Sequence, residues 1–170
     1  MFGTMINRIF NDQEEIMDTL VEIIEYNEKY HPDFKRLNLD YLDKYNLTES
    51  HDMIILDNPG EIVLGRGGFL WLAKAGEEIV GTVGIMPEGH GIFELIKMCV
   101  AESWRGRGIS KVLMETCLLK VKELGGEKLF LFSNHQLQTA LKLYTKYGFK
   151  NVEVTGSPFE TADVKMELQF

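Results

Sequence analysis

The chain has 170 residues, the length of one domain rather than two, and 45% of them are apolar, which predicts a folded chain with a substantial core. Its 18 basic and 26 acidic side chains leave a net charge of −8, which argues against nucleic acid as a partner and favours cationic ones. Cys99 and Cys117 lack metal-ligand spacing and residues 1–10 lack a signal-peptide pattern, so we expect a soluble, cytoplasmic protein with reduced thiols, no metal and no membrane partner.

The first predicted element is a helix over residues 12–30. Asp12 and Glu15 have the spacing of a capping box, and apolar residues then recur at helical intervals. The pair His31-Pro32 is expected to end this helix, because proline cannot continue the helical hydrogen-bond ladder.

The following stretch gives weaker patterns. A shorter helix is predicted over residues 35–45, where apolar and aromatic side chains share one side. Residues 46–67 contain an Asn-Pro-Gly turn and a glycine cluster, and we expect them to be irregular.

From residue 68 onward the pattern is that of a mixed sheet. Short apolar runs between glycine turns predict an antiparallel meander over residues 68–100, and a helix with a wide apolar face over residues 106–124 leads to a strand over residues 128–132. Strand, helix and strand in this order form a βαβ unit with parallel strands. The remaining predicted elements are a helix over residues 136–147 and strands over residues 149–154 and 162–169.

The predicted fold class is therefore α/β (α+β): a mixed, mostly antiparallel sheet with a central βαβ unit and helices beside it. We expect a single domain over residues 1–170, with a helical segment at 12–67, a core at 68–154 and a C-terminal strand within 155–170. Its oligomeric state is expected to be monomer or homodimer.

The strongest functional signal is the turn Arg105-Gly106-Arg107-Gly108-Ile109-Ser110, between a strand and the first turn of a long helix. Glycines allow the main chain to approach a ligand closely, and free amides at a helix N-terminus favour anions. The two arginines reverse the local charge of an acidic chain. Neither a P-loop nor a GxGxxG pattern fits, since Lys111 stands where the third glycine belongs. A phosphate site of another kind is indicated; the alternative is a flexible loop with two solvated arginines.

Three segments resemble the GNAT superfamily of acyl-CoA-dependent N-acetyltransferases. Residues 105–110 are similar to its Arg/Gln-x-x-Gly-x-Gly/Ala signature, with Ser110 at the last position, residues 93–100 to its fourth strand, and residues 140–149 to its A-x-x-x-Y-x-x-x-G-F segment. The segments follow the family's order and separations, and the resemblance covers residues 68–154.

The resemblance implies a GNAT-like fold and acetyl-CoA as the acyl donor. The amides of residues 105–110 would hold its pyrophosphate, and the main chain of residues 98–100 would pair with its pantetheine arm. Many members have an asparagine where Leu137 stands, and Asn134 is the nearest one here. The residues assigned to donor binding are Met98, Cys99, Val100, Arg105, Gly106, Arg107, Gly108, Ile109, Ser110 and Asn134.

The resemblance also implies direct transfer of the acetyl group to a primary amine. Tyr144 matches the family's tyrosine general acid, and core packing is the alternative role for it. Glu94 stands where some members have a glutamate base, although a structural carboxylate, or a water as the base, is an alternative. Strand alternation predicts that Glu94 shares one face with Ile96, Met98 and Val100, where burial would raise its pKa.

The acceptor is left open by the sequence. In the family, the acceptor side is built mainly from the first helices and the following loop, here residues 12–67, where the resemblance is weakest. The acidic balance of the chain favours an amine. A non-catalytic acyl-CoA-binding sensor or regulatory module is the alternative function.

Overall fold

The computed structural model of the protein describes residues 6–7 and 20–170. Its helices are α1 (His31–Lys44), α2 (Ser50–Asp57), α3 (Pro59–Ile62), α4 (Ile109–Glu123) and α5 (Gln138–Lys146), with 3-10 turns at Glu28–Tyr30, Leu64–Arg66 and Glu102–Trp104. Its strands are β1 (Ile6–Asn7), β2 (Val21–Glu25), β3 (Phe69–Ala75), β4 (Glu78–Gly89), β5 (Ile92–Val100), β6 (Lys128–Ser133), β7 (Lys150–Val152) and β8 (Val164–Gln169).

These strands form one sheet in the order β1-β2-β3-β4-β5-β6-β8-β7. The β5–β6 pair is parallel and all other neighbours are antiparallel. Because α4 connects β5 to β6, the sheet contains the predicted βαβ unit. The mixed, mostly antiparallel fold class predicted from the sequence is confirmed.

Helices cover both faces of the sheet. On one face, α4 contributes Leu113 and Cys117 to an apolar cluster with β3, β4, β5, β6 and β8. On the other, α1 and α2 contribute Phe34 and Leu56 to a second cluster. Among the residues that the structure describes, no helix has the length and apolar character needed to cross a bilayer.

The sheet splays between its two parallel strands. β5 and β6 are paired only from Ile92–Glu94 to Lys128–Phe130. Beyond that point β6 continues along β8 as far as Ser133, and β5 continues along β4 as far as Val100. Within the described residues, the main chain of the second half of β5 therefore pairs with no strand on the β6 side, and a gap opens there.

A β-bulge lies in β5 beside this gap. Gly84 of β4 is paired with Ile96 and Thr82 with Cys99, so β5 contains one extra residue, and Lys97 has a φ of 50°. The bulge reverses the face of the sheet on which the following side chains lie. Ile96 belongs to the cluster under α1, whereas Met98 and Val100 pack in the cluster under α4. The predicted common face for Glu94, Ile96, Met98 and Val100 is therefore wrong.

The predicted helix over residues 12–30 is also wrong where the structure describes it, and residues 12–19 lie outside the described part. Val21–Glu25 is a strand paired with β3. Its three β-branched residues suit a strand, and the stabilisation from pairing with β3 outweighs the helix preference that the apolar spacing indicates. Pro32 does not end a helix but lies in the first turn of α1, where its missing amide hydrogen costs nothing.

Residues 46–67 are more regular than predicted. α2 begins with a capping box in which Glu49 accepts from the main chain of Asp52, and the Asp52 carboxylate accepts from the amide of Glu49. Glutamate is not a usual N-cap residue, so the sequence gives no recognisable start signal there. All of the elements predicted after residue 68 are present.

Candidate active site

Two cavities meet where the sheet splays. The larger, here the large cleft, has a volume of about 560 Å³ and lies between the end of β5, the turn before α4 and helix α5. The other, here the small cavity, has about 120 Å³ and lies between α1, α2, β5, β6 and residues 159–162. Four residues line both spaces and mark their junction: Tyr41, Met98, Leu137 and Tyr144.

The turn before α4 presents free main-chain amides to the large cleft. Gly108 is the N-cap of α4 with a φ of 78°, and Gly106 has a φ of 75°. The amide of Val112 donates to the carbonyl of Gly108, so the amides of residues 109–111 precede the helical ladder. A Cβ at Gly106 or Gly108 would meet no atom within 4 Å, which leaves room for a ligand against this main chain.

Among the described residues, all charged side chains that line the large cleft are cationic, although the chain as a whole is acidic. They are Arg105, Lys142 and Lys146. The two lysines lie one helical turn apart on α5 and were missed by the sequence analysis, although their i, i+4 spacing was a usable signal. Free amides and three cations make the cleft a site for an anionic ligand.

The two arginines of the turn are held differently. Arg105 donates from Nε to the carbonyl of Val100 at 3.3 Å, and its guanidinium lies 5.6 Å from the ring centre of Tyr41. Arg107 lies 4.5 Å over the ring of Trp104 and does not line the cleft. Arg105 is therefore the better placed of the two for a ligand in the cleft.

The predicted donor-binding residues of β5 lie along the splayed edge. Met98, Cys99 and Val100 all line the large cleft, beyond the last β5–β6 pair. The Cys99 side chain is buried beside the Thr82 hydroxyl, and burial raises the pKa of its thiol to about 11. Cys99 is thus a protonated, packed thiol at neutral pH.

Tyr144 lies at the junction of the two cavities. It is buried, packs on Phe149 at 5.8 Å between ring centres, and is not used as a hydrogen-bond donor among the described residues. Burial raises the pKa of its phenol, so the hydroxyl remains protonated at neutral pH. The structure thus brings the predicted acid and the predicted phosphate turn to the same cleft.

Glu94 lines the small cavity but not the large cleft. Burial, with a smaller contribution from Glu88, raises the pKa of its carboxyl to about 7, against the opposing effect of Lys97 and Lys165. A carboxylate with a pKa near neutrality takes up and releases protons at physiological pH.

A buried ion pair, which no local sequence pattern predicts, forms part of the wall of the small cavity. The ammonium of Lys97 contacts the carboxylate of Asp52, and their side chains are only 6% and 3% exposed. Nearby, Asn38 donates to the carbonyl of Phe34 at 2.9 Å and to the Thr82 hydroxyl at 3.0 Å.

Asn134 is placed apart from the other predicted donor-binding residues. It lines the small cavity and not the large cleft. Its amide nitrogen donates to the carbonyl of Thr161 at 2.7 Å, and its carbonyl oxygen accepts from the amide of Gln136 at 3.0 Å. Both polar groups thus bind within the fold, and the predicted contact with the donor stays a prediction.

No cluster of three or more metal-ligating side chains occurs in the part of the chain that the structure describes. The site consists of main-chain amides, cations, the Glu94 carboxyl and the buried Tyr144 phenol at a gap between parallel strands. Such a gap beside a helix N-terminus is where an open sheet binds an extended anionic ligand.

The comparison with known proteins identifies the family. Residues 66–151, just over half of the chain, match the acetyltransferase (GNAT) domain, and the chain belongs to this family. The resemblance stated from its three sequence segments is confirmed.

One curated relative is similar in sequence, and two solved structures are similar in fold. N-acetyltransferase 8 of Rattus norvegicus is 34% identical over 99 residues, which cover 55% of this chain and 43% of that protein, so the match spans less than half of the relative. A GNAT-family acetyltransferase of Staphylococcus aureus Mu50 has a TM-score of 0.82 at 24% identity, covering 88% of this chain and 98% of its own. The PaiA N-acetyltransferase of Thermoplasma acidophilum, solved in complex with coenzyme A, has a TM-score of 0.70 at 16% identity, covering 88% and 99%.

Proposed function

We propose that the protein transfers the acetyl group of acetyl-CoA to a primary amine. One observation carries the proposal: a cleft whose charged lining residues, among those described, are all cationic and which has free main-chain amides meets a small cavity with a titratable acid, and Tyr144 lies between them. The related structure solved with coenzyme A and the relative named N-acetyltransferase 8 support the same reaction.

The large cleft fits the donor. The amide of Arg105, which the predicted range 105–110 included, donates to the carbonyl of Glu102. The amides of residues 106–111 would bind the pyrophosphate, with Arg105, Lys142 and Lys146 opposite the negative charge. The unpaired edge of residues 98–100 would bind the amide groups of the pantetheine arm as an added strand does. When bound, acetyl-CoA supplies an acyl group activated as a thioester, so no metal is needed.

The acidic and phenolic groups provide the proton transfers. We propose that Glu94 removes a proton from the acceptor ammonium, directly or through a water, so that the nitrogen has a free electron pair. The C–N bond then forms as the C–S bond breaks. Tyr144 gives its phenolic proton to the departing sulfur and recovers one from the acylated nitrogen.

We also propose a cellular compartment for the protein. Cys99 and Cys117 are buried free thiols, which supports a reducing compartment, and we propose the cytoplasm. The oligomeric state stays a prediction of monomer or homodimer.

The acid role is tested by Tyr144→Phe, with Tyr147→Phe as the matched control. Tyr147 lies on the same helical segment, but its hydroxyl donates to Glu115 outside both cavities. We expect Tyr144→Phe to lower kcat by about a hundredfold with coenzyme A affinity unchanged, and the control to retain activity. Unchanged transfer in Tyr144→Phe contradicts the acid role. Binding of coenzyme A without acetylation of any amine favours the sensor instead.

A further inference from the structure

When the Glu94 carboxyl is ionised, the charged lining residues of the small cavity add up to one net negative charge. Its charged lining residues are Asp52, Glu94 and Lys97. The ammonium of Lys97 forms an ion pair with Asp52 and also lies 5.6 Å from the ring centre of Phe159. Since this pair is neutral overall, ionised Glu94 is the lining residue that leaves a net charge on the described walls, although Lys97 and Lys165 offset part of its effect.

One neutral polar side chain of the wall adds a hydrogen-bond acceptor rather than a donor. Asn38 lines the cavity and donates its two amide hydrogens within the fold, to the carbonyl of Phe34 and the hydroxyl of Thr82. The side-chain carbonyl oxygen is therefore its remaining polar atom. That oxygen is an acceptor, as is the carboxylate of Glu94. Asn38 and Glu94 therefore offer acceptors to a cation, whereas Lys97, the one cation among the described lining residues, is paired with Asp52.

Most of the remaining wall is apolar and the space is small. A volume of about 120 Å³ has room for roughly ten water-sized groups. The apolar lining residues include Leu47, Ile55, Leu95, Leu131, Phe132 and Phe159. A hydrocarbon body of a few carbons fits this surface, and a second charged group would have no free counter-charge on the described walls.

We propose that the acceptor is a small apolar monoamine that has no carboxylate beside its amino group. The inference rests on the proposed function, because it assigns the small cavity to the acceptor of that reaction. A carboxylate next to the amine would be brought close to Glu94 and Asp52, while Lys97 is already paired. A distal ammonium would be buried against apolar side chains without a counter-charge.

Three five-carbon or six-carbon amines test this directly: pentylamine, norleucine, which is pentylamine with a carboxylate at C1, and 1,5-diaminopentane. Each is titrated by calorimetry into the protein saturated with coenzyme A, and each is assayed for transfer from acetyl-CoA. We expect pentylamine to bind at least about tenfold more tightly than the other two and to have the highest kcat/KM. Equal or tighter binding of norleucine or diaminopentane, or no binding of pentylamine, overturns the inference.

The two readouts separate this inference from the proposed function. If no amine is acetylated but pentylamine binds selectively, the transfer reaction is contradicted and the cavity's selectivity stands. If amines are acetylated but norleucine is preferred, the transfer reaction stands and this inference is overturned.

A charge substitution tests the role of the ion pair. Asp52→Asn retains an acceptor for the amide of Glu49 and leaves Lys97 as an unpaired cation. We expect the preference for pentylamine over norleucine to fall by about tenfold in this variant. Asp57→Asn is the matched control, because Asp57 ends the same helix and pairs with exposed Lys35 at 2.6 Å, away from the cavity.

An unchanged preference in Asp52→Asn overturns the assigned role of the pair. Should that variant fail to fold, the binding order of the three amines on the unsubstituted protein still decides the inference.

Discussion

The two cavities at the splayed sheet are built from different parts of the polypeptide. The large cleft is formed around main-chain groups: the amides that begin α4 and the unpaired edge of β5. The small cavity is formed by side chains from α1, α2, β5, β6 and the segment before β8. Main-chain recognition constrains a few glycines and the sheet geometry, whereas side-chain recognition depends on every lining residue.

This contrast explains how one fold can keep its donor and change its acceptor. Substitutions around the small cavity alter charge and volume without moving the turn before α4. The comparison therefore predicts that damage to the main-chain site abolishes donor binding, and that damage to the side-chain site changes rate, pH dependence and selectivity.

The largest effect is expected from Gly108→Val. Valine is strained at a φ of 78°, and its side chain would occupy the open space against the amides. We expect coenzyme A binding to become undetectable by calorimetry. The matched control is Gly76→Val, because Gly76 also has a positive φ of 58° and open space, but lies in the β3–β4 turn. Equal affinities in the two variants would contradict a main-chain phosphate site.

The next effect concerns the base. Glu94→Gln is expected to lower kcat by about a hundredfold, because glutamine accepts no proton. In the unsubstituted protein, kcat/KM should rise with pH through about 7, as the Glu94 carboxyl loses its proton, and then level off. Glu88→Gln serves as the comparison: Glu88 raises the pKa of Glu94, so its neutralisation should move the midpoint to lower pH. A Glu94→Gln enzyme with the original rate and profile would refute the assignment.

The same carboxyl affects stability with a defined sign. Because folding raises its pKa from 4.5 to about 7, the stability associated with its protonated form is present below pH 4.5 and is lost as the pH rises through about 7. Glu94→Gln should therefore raise the free energy of unfolding more at pH 8 than at pH 5. Urea denaturation at the two pH values measures the difference, and an equal effect at both would contradict the burial of this charge.

A smaller effect should separate the two arginines. Arg105→Ala is expected to weaken coenzyme A binding by about 1.5–3 kcal/mol, the value of a charged hydrogen bond, and Arg107→Ala by less, since Arg107 lies on Trp104 outside the lining. Titrations at several salt concentrations would measure both. Exposed Arg36 of α1, which pairs with Asp33, provides the control substitution. A larger loss at Arg107 would reverse this assignment.

The smallest effect on donor binding is expected from Asn134→Ala. Both polar groups of Asn134 are bound within the fold, so coenzyme A affinity should stay the same while stability falls by about 1–3 kcal/mol. Denaturant unfolding and calorimetry together test this. A weakened coenzyme A affinity with unchanged stability would instead support the donor contact expected from the family.

The sequence predicted the half of the molecule that is set by local signals. Period-two apolar runs and glycine turns predicted the meander, and a strand, two glycines and a helix start predicted the phosphate turn. The N-terminal part was mispredicted because the apolar residues of Val21–Glu25 suit the period of a helix as well as that of a strand. Pairing with β3 decides in favour of the strand.

Features that depend on the assembled sheet could not be predicted in this way. The bulge at Lys97 arises from the pairing of β4 with β5 and changes which face Met98 and Val100 occupy. The ion pair of Lys97 with Asp52 joins residues 45 positions apart in the sequence, and no local pattern predicts it. The small cavity is therefore visible only in the folded chain.

The most direct test of the account is a crystal structure of the protein with coenzyme A. We predict that the diphosphate lies against the amides of residues 106–111, that the pantetheine arm runs along residues 98–100, and that its sulfur lies beside Tyr144. A diphosphate bound elsewhere, or a turn whose amides are covered by side chains while coenzyme A occupies another surface, would contradict the account.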